Sequence, residues 1–338
     1  MFDNFRFIQT VLFLIFVFYL MVEVVISCWK RHSEIKNNMQ NLDLTNYIQL
    51  IKDFPELKQC KENNKKYSII TIIILFLLFL GVIFLFFISM NYVYVIFWII
   101  IGGIFLLIFA KKADDSVKLY EKIYKGNVIN QLLKKNDQNI TYESGIGISK
   151  TQYDSGNFET YDIFSSEDMI KSLIDNTPFI LSDVKTQEKY RDKDGDVHYR
   201  TVFSGTVAIA NLPKNINAFI NILDNRWLSE HNQDYVQIDN TEFEKKYDVF
   251  SNNNIIAMRF LTPNVTTAIL DLQKQINSKM EIKINYDVIY FRFHGSNLFE
   301  PAMKNEKLEA YLAYESILKY NTIKTIITEI LKIINKLD

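Results

Sequence analysis

The stretch Tyr67–Ala110 carries no charged side chain, and it constrains the rest of the chain more than any other feature. It divides around Met90-Asn91-Tyr92 into two apolar runs, Ser68–Ser89 and Val93–Ala110, rich in Ile, Leu and Phe. A helix needs about 20 apolar residues to cross hydrocarbon, where every backbone donor and acceptor must be satisfied within the segment. Both runs are near that length. With so short a polar break between them, they predict a transmembrane helical hairpin over 68–110.

A third apolar run, Phe7–Ser27, is interrupted only by Gln9, Thr10 and Glu23. Three readings compete for it: a retained signal anchor, a cleaved signal peptide, and a lipoprotein signal ending in Val25-Ile26-Ser27-Cys28. The flanking charges favour the first. Lys30, Arg31, Lys36, Lys52, Lys58, Lys61, Lys65 and Lys66 lie between the first run and the hairpin, and Lys111, Lys112, Lys118, Lys122 and Lys125 follow it. The break at Asn91-Tyr92 has no positive charge. Lys and Arg near membrane ends favour the cytoplasmic side. The expected topology is therefore a multi-pass membrane protein with its N-terminus outside and everything after the hairpin in the cytoplasm. The expected parts are a membrane helix in 1–28, a polar cytoplasmic loop in 29–67, the hairpin, a linker helix in 111–137, a domain in 138–303 and a helical segment in 304–338. The loop is read as a solvated connector, with attraction of its lysines to anionic headgroups as the alternative.

Roughly 230 residues follow the hairpin, enough for one ordinary domain. From Lys111 onward there are 29 Lys/Arg against 32 Asp/Glu, so that part lacks the basic excess from which nucleic-acid binding draws its affinity. The two cysteines, Cys28 and Cys60, precede the hairpin and form no metal or disulfide pattern.

Asp114–Lys135 has the spacing of an amphipathic helix, with Gly126 marking a close packing contact. Ser165-Ser166-Glu167-Asp168 is read as a helix cap opening a helix to Ile174. A strand, Phe179–Tyr190, follows. In Asp192-Lys193-Asp194-Gly195-Asp196 the alternating acids suggest a calcium loop, but positions six and twelve hold Val197 and Phe203 rather than Gly and Glu. Asp-Gly between alternating runs predicts a hairpin turn instead. Thr201–Ala210 is expected as a central strand and Asn217–Leu223, Tyr235–Ile238, Tyr247–Phe250 and Ile255–Leu261 as further strands. Thr262-Pro263 starts a helix to Ile276, and Met280–Asn285 and Val288–His294 form a last hairpin. Lys304–Leu337 is expected to be helical, with a break near Tyr320-Asn321. The fold class expected is thus a helical membrane anchor followed by an α+β domain with a mainly antiparallel sheet and C-terminal helices.

The chemistry-bearing residues are sparse. His198, His231 and His294 are not at ligand spacing, and there is no His-Glu-x-x-His, Cys-x-x-Cys or Gly-x-Ser-x-Gly. Gly145-Ile146-Gly147 lacks the Lys-Ser/Thr of a phosphate loop. No cofactor and no metal are expected. Arg259 and Arg292, each within an apolar run read as a strand, and Glu300, before Pro301, form the candidate polar site.

Six landmarks in order resemble a known bacterial family: Ser166-Glu167-Asp168, Phe179–Val184, Val202–Thr206, Phe243–Phe250, Ala257–Pro263 and Asn297–Pro301. The chain is similar over about residues 68–305 to the membrane proteins grouped as domain of unknown function 3137. The resemblance implies a two-helix hairpin ahead of a cytoplasmic domain, and a LemA-type membrane protein as a neighbour and partner. It supplies no catalytic residues, and Phe7–Ser27 departs from the commonest pattern. The function expected is a non-catalytic adaptor at the inner membrane face. The alternative is an enzyme acting on a lipid or envelope precursor, with a polar pocket near Arg259, Arg292 or Glu300.

Overall fold

The structure is a computed structural model that describes residues 39, 42–88, 92–224, 234–276, 279–295, 297–303 and 305–335. Phe7–Ser27, Cys28, His231 and the Asn91 tip of the hairpin lie outside these. The chain divides into two units, Met1–Asn46 and Tyr47–Asp338. In the first, Asp43 accepts a hydrogen bond from the Thr45 N–H (3.1 Å) at the start of helix α1 (Thr45–Lys52). All that follows concerns the second.

Helices α2 (Pro55–Ile88) and α3 (Tyr92–Ile123) carry the two apolar runs and pack side by side. Both are long and apolar enough to cross a membrane. At 1.5 Å per residue they are about 50 Å long, so each extends well beyond a bilayer core. The part of the expected polar loop from Pro55 onward is thus helix, continuous with the apolar run. Phe76, Phe79, Phe84, Phe97 and Leu107 point outward. Between the helices, Gly81 lies against the Trp98 indole and Gly102 against Leu78, each so close that a Cβ would overlap its neighbour. The Trp98 N–H donates to the Leu78 carbonyl (3.3 Å).

Helix α3 runs on through a π-helical turn, Tyr124–Ile129, into α4 (Asn130–Asn136). Gly126 has open space around it, so it marks no packing contact. Its place in the widened turn, where helical geometry is already relaxed, removes the need for one.

The domain is one eight-stranded antiparallel sheet in the order β1-β2-β3-β4-β8-β7-β5-β6. The strands are β1 (Thr141–Glu143), β2 (Ile163–Ile174), β3 (Thr177–Arg191), β4 (Val197–Asn211), β5 (Phe219–Asp224), β6 (Tyr247–Ser251), β7 (Met280–Asn285) and β8 (Val288–His294). The turn at Asp192–Asp196 forms as expected, closed by Asp192 N–H to Asp196 carbonyl (3.0 Å). Residues 165–174 are a strand, not the expected helix. The polar Ser-Ser-Glu-Asp sequence fits a cap locally, but pairing along β3 outweighs that local preference. At the expected strand Tyr235–Ile238, the structure has an isolated bridge between Tyr235 and Phe250.

One sheet face is covered by helix α8 (Pro263–Ile276) and the long helix α9 (Glu306–Ile334), which packs Tyr320 on Phe179 (5.9 Å between rings). Helix α9 has no break at Tyr320-Asn321. Its stripe of Ile323, Ile326, Ile327, Ile330 and Ile334 is buried throughout. The other face buries Val184, Phe203, Val207 and Tyr290 under Ile148 and Tyr153, the latter on the short helix α5 (Lys150–Asp154). Two more short helices, α6 (Thr241–Glu244) and α7 (Asn254–Phe260), flank β6. Helix α7 stands where the strand Ile255–Leu261 was expected. Asn253 caps it by accepting from the Ile256 N–H (3.2 Å), a start signal that the apolar run conceals.

The packing of the hairpin predicts that Gly81→Leu with Gly102→Leu costs about 1–3 kcal/mol by overpacking. Thermal unfolding in detergent, followed by tryptophan fluorescence, should show a midpoint several degrees lower. Gly103→Leu, at a position with nothing within 4 Å, should leave it in place.

Candidate functional site

The π-turn directs Lys125 away from solvent and into the domain. Its ammonium lies 2.7 Å from Asp168 Oδ2, 3.0 Å from Glu300 Oε1 and 3.2 Å from Glu121 Oε1. The Tyr142 hydroxyl donates to Asp168 Oδ1 (2.6 Å). Asp168 reaches this point because β2 bulges between Glu167 and Ile170, and Asp168 itself takes a left-handed conformation (φ 58°). Lys125 and Asp168 are buried, whereas Glu300 is about half exposed (46%).

Burial alone would lower the Lys125 pKa, but the hydrogen bonds and charges of Asp168 and Glu300 outweigh it and raise the value above that of an ordinary lysine. For Asp168, burial dominates and raises its pKa to about 6, although Lys125 and Tyr142 pull it down. The carboxylates of Glu167, Asp168 and Glu300 converge, with ligand oxygens within 4.8 Å of one another. A metal ion there would have to displace Lys125, whose ammonium already supplies the positive charge to two of the three. The donor set therefore fits an internal ion pair rather than a metal centre.

Beside this network opens a polar cleft of about 320 Å³, lined by Ser165, Glu167, Asp183, Lys185, Ser204 and Asn297. The register puts Ser165, Lys185 and Ser204 in one row across β2, β3 and β4, and Glu167, Asp183 and Thr206 in the next. Asp183 lies at the buried end. It accepts from the Thr206 hydroxyl (2.8 Å) and from the Leu298 N–H. Lys319, on α9, donates to Thr206 Oγ1 (3.1 Å) and stands over the Phe293 ring (5.4 Å). Burial pushes the Asp183 carboxyl up and the Lys319 ammonium down, so each favours its neutral form more than an exposed group would.

The three residues singled out from sequence do not share a site. Arg292 is buried on β8, paired with Glu159 and with Glu281 (3.0 Å), near Tyr153 Oη (3.2 Å) and stacked between Phe158 and Phe203 (4.5 and 4.7 Å). Arg259 is exposed on helix α7, not in a strand. Glu300 alone belongs to the Lys125 network and adjoins the cleft. Lys125, Asp168, Asp183 and Lys319 escaped the sequence reading. Lys319 left a signal: it falls in step with Ile323, Ile326 and Ile330, on the stripe that α9 buries.

Comparisons with known proteins bear on the second half of the chain. The family model described as "Protein of unknown function (DUF3137)" matches residues 201–338. These residues belong to that family. The match takes in the last four of the six landmarks, while the hairpin and the first two precede it. Among solved structures, a crystal structure of the mycobacterial trehalose monomycolate transport factor A, TtfA, aligns at a TM-score of 0.32 and 12% identity. The alignment covers 56% of this chain and 94% of that one, and a likeness so low carries no argument. The comparison with curated proteins finds no match.

The ion pair at the π-turn has a pH signature. The folded-state pKa of Asp168, about 6, exceeds its ordinary 3.8, so folding holds this proton more tightly than the unfolded chain does. That contribution is complete below about pH 3.8 and lost by about pH 6. Lys125→Met removes the counter-ion, raises the Asp168 pKa further and extends the loss to higher pH. The variant should be destabilised by roughly 3 kcal/mol at pH 8 and by clearly less at pH 5, as measured by thermal unfolding in detergent. A deficit equal at both pH values would contradict this account.

Proposed function

We propose that this chain is a non-catalytic adaptor anchored in the inner membrane by its hairpin, with the sheet domain docking a protein partner on the cytoplasmic side. The observation that carries this reading is the continuity of the anchor with the domain. Helix α3 passes without interruption into the turn that seats Lys125 among carboxylates of the domain. Beside it, Lys61 of α2 pairs with the buried Glu309 of α9 (2.9 Å), and the Tyr124 hydroxyl donates to the Glu309 carbonyl (3.2 Å). Both hairpin helices are thereby tied to the domain near its base, an arrangement suited to holding a docking surface at a fixed height. The surface best placed for a partner is the β3–β4 ribbon. Beyond Gln187 and Thr201 it runs past its neighbouring strands and exposes Tyr190, Val197 and Tyr199. A LemA-type membrane protein, which the family resemblance implied, is the first partner to look for.

The cleft favours a second reading, an enzyme acting on a lipid or envelope precursor, because it ends on a buried carboxyl with a raised pKa. Photocrosslinkers at Tyr199 and at Asn297, in the full chain in its native membrane, separate the two. The adaptor reading expects a protein adduct of defined mass from position 199. A small-molecule or lipid adduct from position 297, with none at 199, would replace it with the enzyme reading. For the topology, a cysteine at Asn91 should react with a membrane-impermeant maleimide in intact cells, and one at Asp115 only after lysis. The reverse pattern would invert the proposed orientation.

A further inference from the structure

Where the hairpin helices leave their apolar runs, four exposed lysines gather at one level: Lys65 and Lys66 on α2, and Lys111 and Lys112 on α3. Contacts across the helix pair fix that level. The Tyr67 ring is 6.3 Å from that of Phe109, and the Lys112 ammonium lies 5.7 Å from the Tyr67 ring and 5.5 Å from the Phe109 ring. The Lys66 ammonium lies 6.0 Å from the same Tyr67 ring. One phenol therefore gathers two ammonium groups from different helices.

Charge is layered along the pair. Among the described residues, these four lysines make no ion pair. Farther from the apolar runs, Lys61 pairs with Glu309, Lys118 with Asp114 and Lys125 with three carboxylates, while Lys58 and Lys122 make no ion pair among the described residues. The acids of the two helices, Glu62 on α2 and Asp114 and Asp115 on α3, begin about a turn farther out. Immediately on the other side of the lysines, Ile69, Phe105 and Ile108 are exposed apolar surface. A ligand matching this layering has an anionic head and an apolar tail.

We infer that Lys66 and Lys112, gathered at Tyr67, bind the phosphodiester of an anionic phospholipid headgroup, with Lys65 and Lys111 completing a basic collar. The inference rests on the reading that the hairpin spans a bilayer. The two ammonium groups would share the phosphate oxygens, the Tyr67 hydroxyl offers a further donor, and the acyl chains would lie along the apolar helices. Free phosphate lacks those chains and forgoes that contact. Juxtamembrane lysine clusters attract anionic lipid by about 1 kcal/mol per lysine, or about fivefold in affinity for each.

The test uses the full chain reconstituted into vesicles of phosphatidylcholine mixed with phosphatidylglycerol, recovered by flotation and examined for retained lipid by native mass spectrometry. The wild-type protein should retain phosphatidylglycerol in preference to phosphatidylcholine. Lys66→Gln with Lys112→Gln should reduce that preference by an order of magnitude or more, and Lys118→Gln, which alters a lysine already paired with Asp114, should preserve it. Equal retention of both lipids by the wild type would overturn the inference without recourse to any variant, and so would an unchanged preference in the double variant. In detergent, a thermal shift from inorganic phosphate as large as that from short-chain phosphatidylglycerol would overturn the lipid as the source of the phosphate. Failure of the wild type to float with vesicles would overturn the membrane reading and the inference with it, whereas flotation without lipid preference removes the inference alone.

Discussion

The seating of one ammonium group, that of Lys125, joins the two halves of this protein. A helix leaving an apolar hairpin has no intrinsic reason to hold a fixed relation to the domain that follows it. Here a π-turn turns a lysine of that helix into the domain, where Asp168, Glu300 and Glu121 meet its charge. Removing such a charge from water costs several kcal/mol, and only close partners offset it. The pairing therefore adds little net stability, but it penalises any other placement of the helix. It acts as a register pin.

The same logic recurs through the domain. Arg292 is buried between two phenyl rings with two carboxylates at hand, and Glu309 faces Lys61. Asp183 and Lys319 both bond Thr206, and burial shifts both toward neutrality. Asp183 also lines the cleft, so a carboxyl that favours its neutral form more than an exposed one would faces polar space there.

Much of the fold was legible because it followed local rules. The Asp-Gly turn at 192–196, the Thr262-Pro263 helix start and the hairpin around Tyr286-Asp287 each formed where turn and cap chemistry put them. Two misreadings have different causes. Ile255–Leu261 carries a strand-like run, but the cap at Asn253 starts a helix there. Ser165–Asp168 carries a cap sequence, but pairing with β3, farther along the chain, draws it into β2. The candidate site fared worse for a related reason. Arg292 and Glu300 lie eight residues apart in sequence but face different environments, whereas Lys125, Asp168 and Glu300 converge across separations as long as 175 residues.

By itself, the sequence determined that two apolar helices run antiparallel, that basic residues collect at their domain-side ends, and that an antiparallel sheet with helical cover follows. Those properties depend on composition, periodicity and neighbours within a few residues. Tertiary structure alone decided that the first of these helices starts well before its apolar run, at Pro55, and that both dock on the domain. It also decided that a β-bulge turns Asp168 toward Lys125, and that Asp183 lies at the floor of a cleft. Each of these depends on the cost of burying a charge without a partner, and the partners come from elements far apart in the chain.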